Sequence, residues 1–222
     1  MIVTSPASLK PAGAAPFIVI EGINGGGKST LIAGLAQWLS SLNIAHRCTR
    51  EPGGTPVGQK LRKLLLDSEE PLCHESELFL FLADRAQHVQ TVIRPARDMG
   101  TTIVCDRYIY STIAFQGYGR GLECDRLLEL NRLGTNDLRP DLVILLDLPI
   151  EEALRRARGR SGGLSMERDG FEEEELAFHQ RVHDGFLALA AELPEPFLVL
   201  DASQSPEILV AETQAFVGRL FG

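Results

Sequence analysis

The sequence lacks the features of membrane, secreted and nucleic-acid-binding proteins. No stretch approaches the roughly 18 uninterrupted apolar residues of a membrane-spanning helix, and the first sixteen residues contain no apolar run typical of a secretory signal. The four cysteines form no CxxC pair, which favours a reduced, cytoplasmic protein. The formal net charge is −8, so no overall field attracts DNA, RNA or an anionic membrane. Any polyanion that the protein binds must be small and held locally.

The chain is interpreted as one domain preceded by a short tail. At 222 residues it is long enough for one sizeable core, and no internal repeat or linker divides it. Residues 1–16 contain three prolines and no long apolar run, so we expect a disordered tail there. The domain then spans 17–222.

Short aliphatic runs alternate with longer helical patterns along this domain. The alternation indicates βαβ units and a parallel sheet. Because the runs are apolar throughout, we expect helices on both faces of the sheet. The sequence therefore predicts an α/β fold in three layers around a five-stranded parallel sheet. The predicted strands are Phe17–Glu21, Ala45–Thr49, Thr102–Asp106, Leu142–Asp147 and Phe197–Asp201. The predicted helices are Lys28–Ser41, Val57–Leu66, Ser76–Arg97, Asp125–Leu133, Ile150–Arg158, Phe171–Leu193 and Pro206–Leu220.

A glycine-rich loop stands between the first predicted strand and the first predicted helix. It reads Gly22-Ile-Asn-Gly-Gly-Gly-Lys28-Ser29, a Walker A pattern in the strand-loop-helix context that the pattern requires. In such a loop the backbone N–H groups and the helix N-terminus bind phosphate oxygens, the lysine reaches the β- and γ-phosphates, and the serine ligates Mg²⁺. The pattern predicts a P-loop ATP site formed by Gly22, Ile23, Asn24, Gly25, Gly26, Gly27, Lys28, Ser29 and Thr30.

A nucleotide–Mg²⁺ site also needs a carboxylate at the end of a neighbouring strand, and two candidates exist. Asp106 ends one predicted strand and Asp147 another. Asp106 is followed directly by Arg107, so a carboxylate for the metal and a guanidinium for phosphate leave the same strand end. Asp147 precedes a predicted helix and suits a helix cap. We therefore predict that Mg²⁺ is held by Ser29 and Asp106.

Further arginines follow other strand ends. Arg50 and Arg107 come after two strands of the predicted sheet and indicate a second phosphate site, because guanidinium groups bind phosphate in a bidentate manner. The segment from Arg155 to Arg168 combines five arginines with glycines. It is interpreted as a basic lid over about 158–170, which would close on the triphosphate and exclude water.

These motifs together resemble the thymidylate kinases of bacteria. The resemblance rests on the glycine-rich loop, on Arg50-Glu-Pro-Gly-Gly54, on Asp106-Arg-Tyr108, on Ser111-Thr112 followed by Gln116, and on Phe178-His-Gln-Arg181. It extends from about Phe17 to the end of the chain. It implies the architecture of a nucleoside monophosphate kinase with a short lid, the reaction ATP + dTMP ⇌ ADP + dTDP with Mg²⁺, and a homodimer.

The resemblance also implies roles for individual residues. Arg50 and Arg107 would bind the dTMP phosphate, with Arg62 as a further candidate and Glu51 ordering the site. Thymine would stack on Phe81, and its polar edge would bind Arg85, Thr112 and Gln116. Phe115 would lie near the sugar. Ser111 completes the dTMP site, Arg155 joins the ATP site, and the catalytic set is Lys28, Glu51, Asp106, Arg107 and Arg160.

Two loop positions depart from relatives. Gly25 stands where the eukaryotic branch has a catalytic arginine, and the bacterial branch supplies that arginine from the lid, where Arg160 aligns best and Arg158 and Arg168 are the alternatives. Asn24 stands where the family commonly has an acidic residue, which leaves its contact with the acceptor sugar open.

Two alternatives remain from the sequence. One is another kinase of nucleoside monophosphates or deoxynucleosides, although a nucleoside kinase needs no second phosphate site. The other is a nucleotide-binding switch, for which we expect a guanine-reading Asn-Lys-x-Asp motif that the sequence lacks.

Overall fold

A computed structural model describes residues 2–3, 14–67, 70–160 and 169–221, with side chains for 14–67, 70–156 and 176–221. Five parallel strands form the sheet, as the sequence predicts. They are β2 (Phe17–Glu21), β3 (His46–Arg50), β4 (Thr102–Asp106), β5 (Leu142–Asp147) and β6 (Phe197–Asp201), and their spatial order is β6-β5-β2-β4-β3.

A short strand, β1 (Ile2–Val3), pairs antiparallel with β6 and extends the sheet to six strands. These two residues belong to the segment 1–16, for which the sequence predicts a disordered tail. Strand patterns are recognised from runs of about four to eight residues, so a two-residue strand gives no pattern that could be read.

Helices flank the sheet. They are α1 (Lys28–Ser41), α2 (Pro56–Asp67), α3 (His74–His88), α4 (Arg94–Asp98), α5 (Ile109–Thr112), α6 (Cys124–Thr135), α7 (Ile150–Arg160), α8 (Asp169–Glu192) and α9 (Pro206–Val217). π-Helical turns continue α3 over Val89–Ile93 and α5 over Ile113–Gly119. Across the described residues, none of the helices combines the length and apolarity needed to span a bilayer.

The core lies on both faces of the central strands. Every residue of β2 is fully buried, and the strands β4 and β5 are buried except for their last residues, Asp106 and Asp147. This burial explains why β2, β4 and β5 are continuous aliphatic runs. The edge strand β3 is more exposed and ends one residue later than predicted, at Arg50.

The parallel arrangement brings the carboxyl ends of the strands to one edge of the sheet. Arg50 of β3 lies opposite Asp106 of β4, which in turn pairs with Ile20 of β2. Ligands of open α/β sheets bind at this edge. The residues that follow the strands are therefore the ones to consider as a site.

Candidate active site

The glycine-rich loop joins β2 to α1 as the sequence predicts. Gly27 precedes the helix in a left-handed conformation, and Lys28 is the first residue of α1. The Lys28 side chain is buried, and its Nζ donates to the carbonyl oxygens of Gly22 and Ile23, both at 3.0 Å. The ammonium group is therefore held over the loop, next to the N–H groups at the start of α1.

A cavity of about 700 Å³ opens between this loop and the ends of β3 and β4. All ten residues predicted to bind dTMP line it, and so do Lys28, Ser29, Asn24 and Asp106. The ten are Arg50, Glu51, Arg62, Phe81, Arg85, Arg107, Ser111, Thr112, Phe115 and Gln116. The structure thus brings the predicted acceptor residues and the phosphate loop to one cavity.

Three guanidinium groups converge in the cavity. The pKa of Arg62 is lowered, mainly by burial and next by the positive charge of Arg50. The charge of Arg107 acts in the same direction. Arg62 Nη1 donates to the carbonyl oxygen of Pro52 at 3.0 Å, which holds the side chain in place. Like charges held this close together form a site that an anion stabilises.

Arg107 is fixed by contacts on both sides. Its Nη1 donates to Ser111 Oγ and its Nη2 to Asn24 Oδ1, each at 2.8 Å, and its guanidinium lies 5.1 Å from the centre of the Phe115 ring. Its backbone is left-handed, with φ of 70°, a conformation that costs a side-chain-bearing residue free energy. Asn24, whose role the sequence left open, therefore joins the phosphate loop to Arg107.

Glu21 holds this backbone turn through hydrogen bonds, a role that the sequence does not predict. The carboxylate is fully buried at the end of β2 and accepts from Tyr108 N at 2.8 Å and from Ser111 Oγ at 2.7 Å. Burial raises the pKa of Glu21, while the charge of Arg107 opposes that shift. The signal for this role in the sequence is a carboxylate at the end of a strand that is otherwise wholly apolar.

A buried network supports the other wall of the cavity. Arg85 Nε donates to Glu51 Oε2 at 2.6 Å, and its Nη1 donates to Thr112 and to Asn131. His88 Nδ1 lies 2.9 Å from Glu51 Oε1. Both oxygens of Glu51 are therefore bound within the protein. Neither His88 nor Asn131 is predicted as a site residue from the sequence, because nothing in their spacing indicates these contacts.

Part of the cavity wall combines one aromatic face with polar groups. Phe81 and Arg85 lie one turn apart on α3, and Thr112 and Gln116 are likewise four residues apart. All four side chains line the cavity, and Arg85 Nη1 donates to Thr112 Oγ1 at 2.7 Å. The arrangement suits a flat, polar-edged ring.

The acid at the end of β4 fits a metal ion. Asp106 Oδ1 is buried and has no hydrogen-bond partner within the described part of the chain, and Ser29 lines the same cavity. An oxygen that is buried without a donor is costly unless a ligand compensates it. A carboxylate with a hydroxyl is the kind of donor set that Mg²⁺ takes beside phosphates. The other candidate, Asp147, instead binds His183 Nε2 at 2.7 Å.

A second cavity, of about 310 Å³, adjoins the phosphate loop on the opposite side. Its wall includes Gly26, Thr30, Arg156 and Gln204. Arg155, the predicted ATP ligand, does not line it: that side chain is 73% exposed and pairs with Glu152. The arginine one position later reaches the cavity, because the helix turns by about 100° per residue.

The predicted lid, 158–170, falls largely outside the described residues, and none of its side chains is described. The backbone of α7 is described as far as Arg160, the predicted lid arginine.

Fold and site together define a P-loop kinase of the nucleoside monophosphate type, with the phosphate loop and three arginines in a shared cavity. A family profile, thymidylate kinase, matches residues 20–213. A thymidylate kinase of Desulfovibrio desulfuricans is 49% identical over 204 residues, covering 90% of this chain and 94% of that protein. One of Nitratidesulfovibrio vulgaris is 50% identical, covering 86% and 90%. The crystal structure of thymidylate kinase from Ehrlichia chaffeensis superposes with a TM-score of 0.74 at 31% identity, covering 92% of this chain and 98% of that one. The chain belongs to the thymidylate kinase family.

Proposed function

We propose that this protein transfers the γ-phosphoryl group of ATP to dTMP through the residues of the shared cavity, with Mg²⁺ as the metal ion. Membership of the thymidylate kinase family makes the chain a kinase that phosphorylates dTMP. The observation that carries the residue assignment is the convergence of Arg50, Arg62 and Arg107 in the cavity that also contains Lys28. One cavity with two anion sites suits a reaction between two phosphate groups.

In the acceptor half, the three arginines bind the dTMP phosphate, and Glu51 orders the wall behind it through Arg85 and His88. Phe81 stacks on thymine. Arg85, Thr112 and Gln116 read its polar edge, because a neutral base offers a flat face and a few donors and acceptors. Phe115 packs beside Arg107 at the sugar.

In the donor half, the loop and Lys28 bind the ATP phosphates, and Arg156 borders the cavity for the rest of the nucleotide. Transfer is in line and forms no covalent intermediate with the protein. The residues act by positioning the two substrates and neutralising charge. Bound at Ser29 and Asp106, Mg²⁺ would neutralise charge on the β- and γ-phosphates.

The metal assignment predicts the effect of replacing Asp106 by asparagine. Asparagine keeps the volume but removes the charge, so the Mg²⁺ concentration for half-maximal activity should rise about tenfold. Titration of activity with Mg²⁺ and calorimetry of Mg²⁺–ATP binding measure the change. Asp137→Asn is the matched control, because Asp137 is exposed and pairs with Arg132. An unchanged Mg²⁺ dependence in Asp106→Asn contradicts the assignment.

The substrate assignment is tested with an ADP-release assay on dTMP, dUMP, dCMP, AMP, GMP and thymidine. We expect dTMP to have the highest kcat/KM. A higher kcat/KM for another monophosphate would show that dTMP is not the preferred acceptor. A preference for thymidine would show that the enzyme is a nucleoside kinase. ATP consumption without any acceptor product would favour a nucleotide-binding switch.

We also propose a cytoplasmic homodimer. All four cysteines are free thiols, as expected in a reducing compartment. Helix α3 packs against α2 and α6. Each of these three helices has an exposed large apolar side chain: Phe79 on α3, Leu64 on α2 and Leu133 on α6. Exposed apolar groups on neighbouring helices are typical of an interface.

The dimer proposal predicts that Phe79→Glu converts the protein to a monomer, because Phe79 is 59% exposed on α3 and a carboxylate there would be buried against the partner. Sedimentation equilibrium measures the mass. Leu42→Glu, at a similarly exposed position after α1, should stay dimeric. A wild-type mass of 24.3 kDa contradicts the dimer.

A further inference from the structure

Glu77 lies in the wall of the shared cavity beside Gln116 and has no role in the function described above. It is on α3, one turn before Phe81, and Gln116 Nε2 donates to its Oε1 at 3.4 Å. The other oxygen, Oε2, pairs with Arg120 Nη2 at 2.7 Å. Glu77 is thus fixed from one side and touches a proposed base-reading residue on the other.

The carboxylate determines which end of the Gln116 amide faces the cavity. An ionised carboxylate only accepts hydrogen bonds, so the NH₂ end of a neighbouring amide turns toward it. The reversed amide would bring Gln116 Oε1 against the oxygen of Glu77. Gln116 is only 2% exposed, so water cannot easily compensate that arrangement. The amide oxygen is therefore the group left to face a ligand.

Arg85 supplies the complementary group. Its side chain can only donate, and the described residues use four hydrogen bonds from it, which leaves one of its five N–H groups for a ligand. A donor and an acceptor in the wall of one cavity match the edge of thymine, where O4 accepts and N3–H donates. Cytosine presents the reverse order, with a donating amino group and an accepting N3.

We propose that Glu77 is a specificity-determining positioning residue: by fixing the Gln116 amide it makes the cavity read thymine and reject cytosine. This inference rests on the proposed function of the same site. Without Glu77, the Gln116 amide can reverse and present its NH₂ group to N3 of cytosine. Glu77 thus acts through Gln116 and does not contact the reacting atoms.

The test is the ratio of kcat/KM for dTMP to kcat/KM for dCMP in Glu77→Ala and Glu77→Gln. We expect the ratio to fall about tenfold in the alanine variant, since a reversible amide removes the mismatch at N3 of cytosine, while the mismatch between Arg85 and the cytosine amino group remains. The glutamine variant keeps the volume and one accepting oxygen, so its ratio should fall less. A residue that merely supports the fold would lower both values of kcat/KM and leave the ratio unchanged.

Glu75→Ala is the matched control, because Glu75 is an exposed glutamate on the first turn of the same helix. Its ratio should equal that of the wild type. If the wild type prefers dTMP and both Glu77 variants keep its ratio within twofold, the inference is wrong. If the wild type itself does not prefer dTMP, the proposed function fails first. Should the alanine variant not fold, the volume-matched glutamine variant decides, and its ratio should still fall more than twofold.

Discussion

Replacing Arg107 with alanine is expected to lower kcat/KM for dTMP by about 10⁴, within the range seen when an arginine is removed from a phosphoryl-transfer site. Arg107 directly follows Asp106, the proposed metal ligand, and Asn24 and Ser111 hold its guanidinium in the shared cavity. A charge placed between the two phosphate groups stabilises the transition state more than either ground state, so kcat should carry much of the loss. Steady-state kinetics with dTMP and ATP measure both parameters.

The lysine variant separates charge from geometry. Arg107→Lys keeps the positive charge but not the planar fork that binds Asn24 and Ser111 together, so we expect it to recover only part of the activity. Both variants place a side chain at a position whose backbone is left-handed. Thermal denaturation therefore checks that both of them fold. Arg132→Ala is the control, because Arg132 is exposed and pairs with Asp137. Activity of Arg107→Ala within tenfold of the wild type would exclude the proposed role.

The sheet and the phosphate loop were accessible from the sequence because both are encoded locally. A buried parallel strand must be apolar on both faces, and β2, β4, β5 and β6 begin and end at the predicted residues. The loop is likewise a contiguous pattern with a fixed strand and helix around it. Helix α5 and its π-helical continuation over Ile113–Gly119 were missed, since two glycines in that short stretch hide its helical pattern.

The contacts that shape the acceptor site were not accessible, because they join residues far apart in the chain. Glu21 binds Tyr108 across 87 positions, and Glu51 binds His88 across 37. No local pattern specifies such pairs. The sequence could nominate Arg107, since it follows a strand end, but the groups that orient it become visible only when β2 and β4 lie side by side.

Replacing Arg160 with alanine is expected to lower kcat by about 10³ while leaving ATP affinity within severalfold, as for an arginine that acts in the transition state. The loop cannot supply this charge itself. Gly25 has φ of 89°, and a Cβ there would collide with the carbonyl oxygen of Ala153 on α7, so no arginine fits at that position. Helix α7 is in contact with the loop, and residues further along it are therefore the nearest alternative source.

The register of α7 selects among the lid arginines. Arg156 lies three residues beyond Ala153 and borders the second cavity, where its Nη1 donates to the carbonyl oxygen of Ala202. Position 160 is four residues further on, and in a helix positions 153, 156 and 160 share one face. Position 158 does not belong to that face, so Arg158→Ala is the matched control and should keep kcat within severalfold of the wild type. Pre-steady-state transfer rates and ATP binding by calorimetry separate the two effects. A large loss of kcat in Arg158→Ala, with near-normal kcat in Arg160→Ala, would show that the catalytic charge comes from Arg158 and not from Arg160.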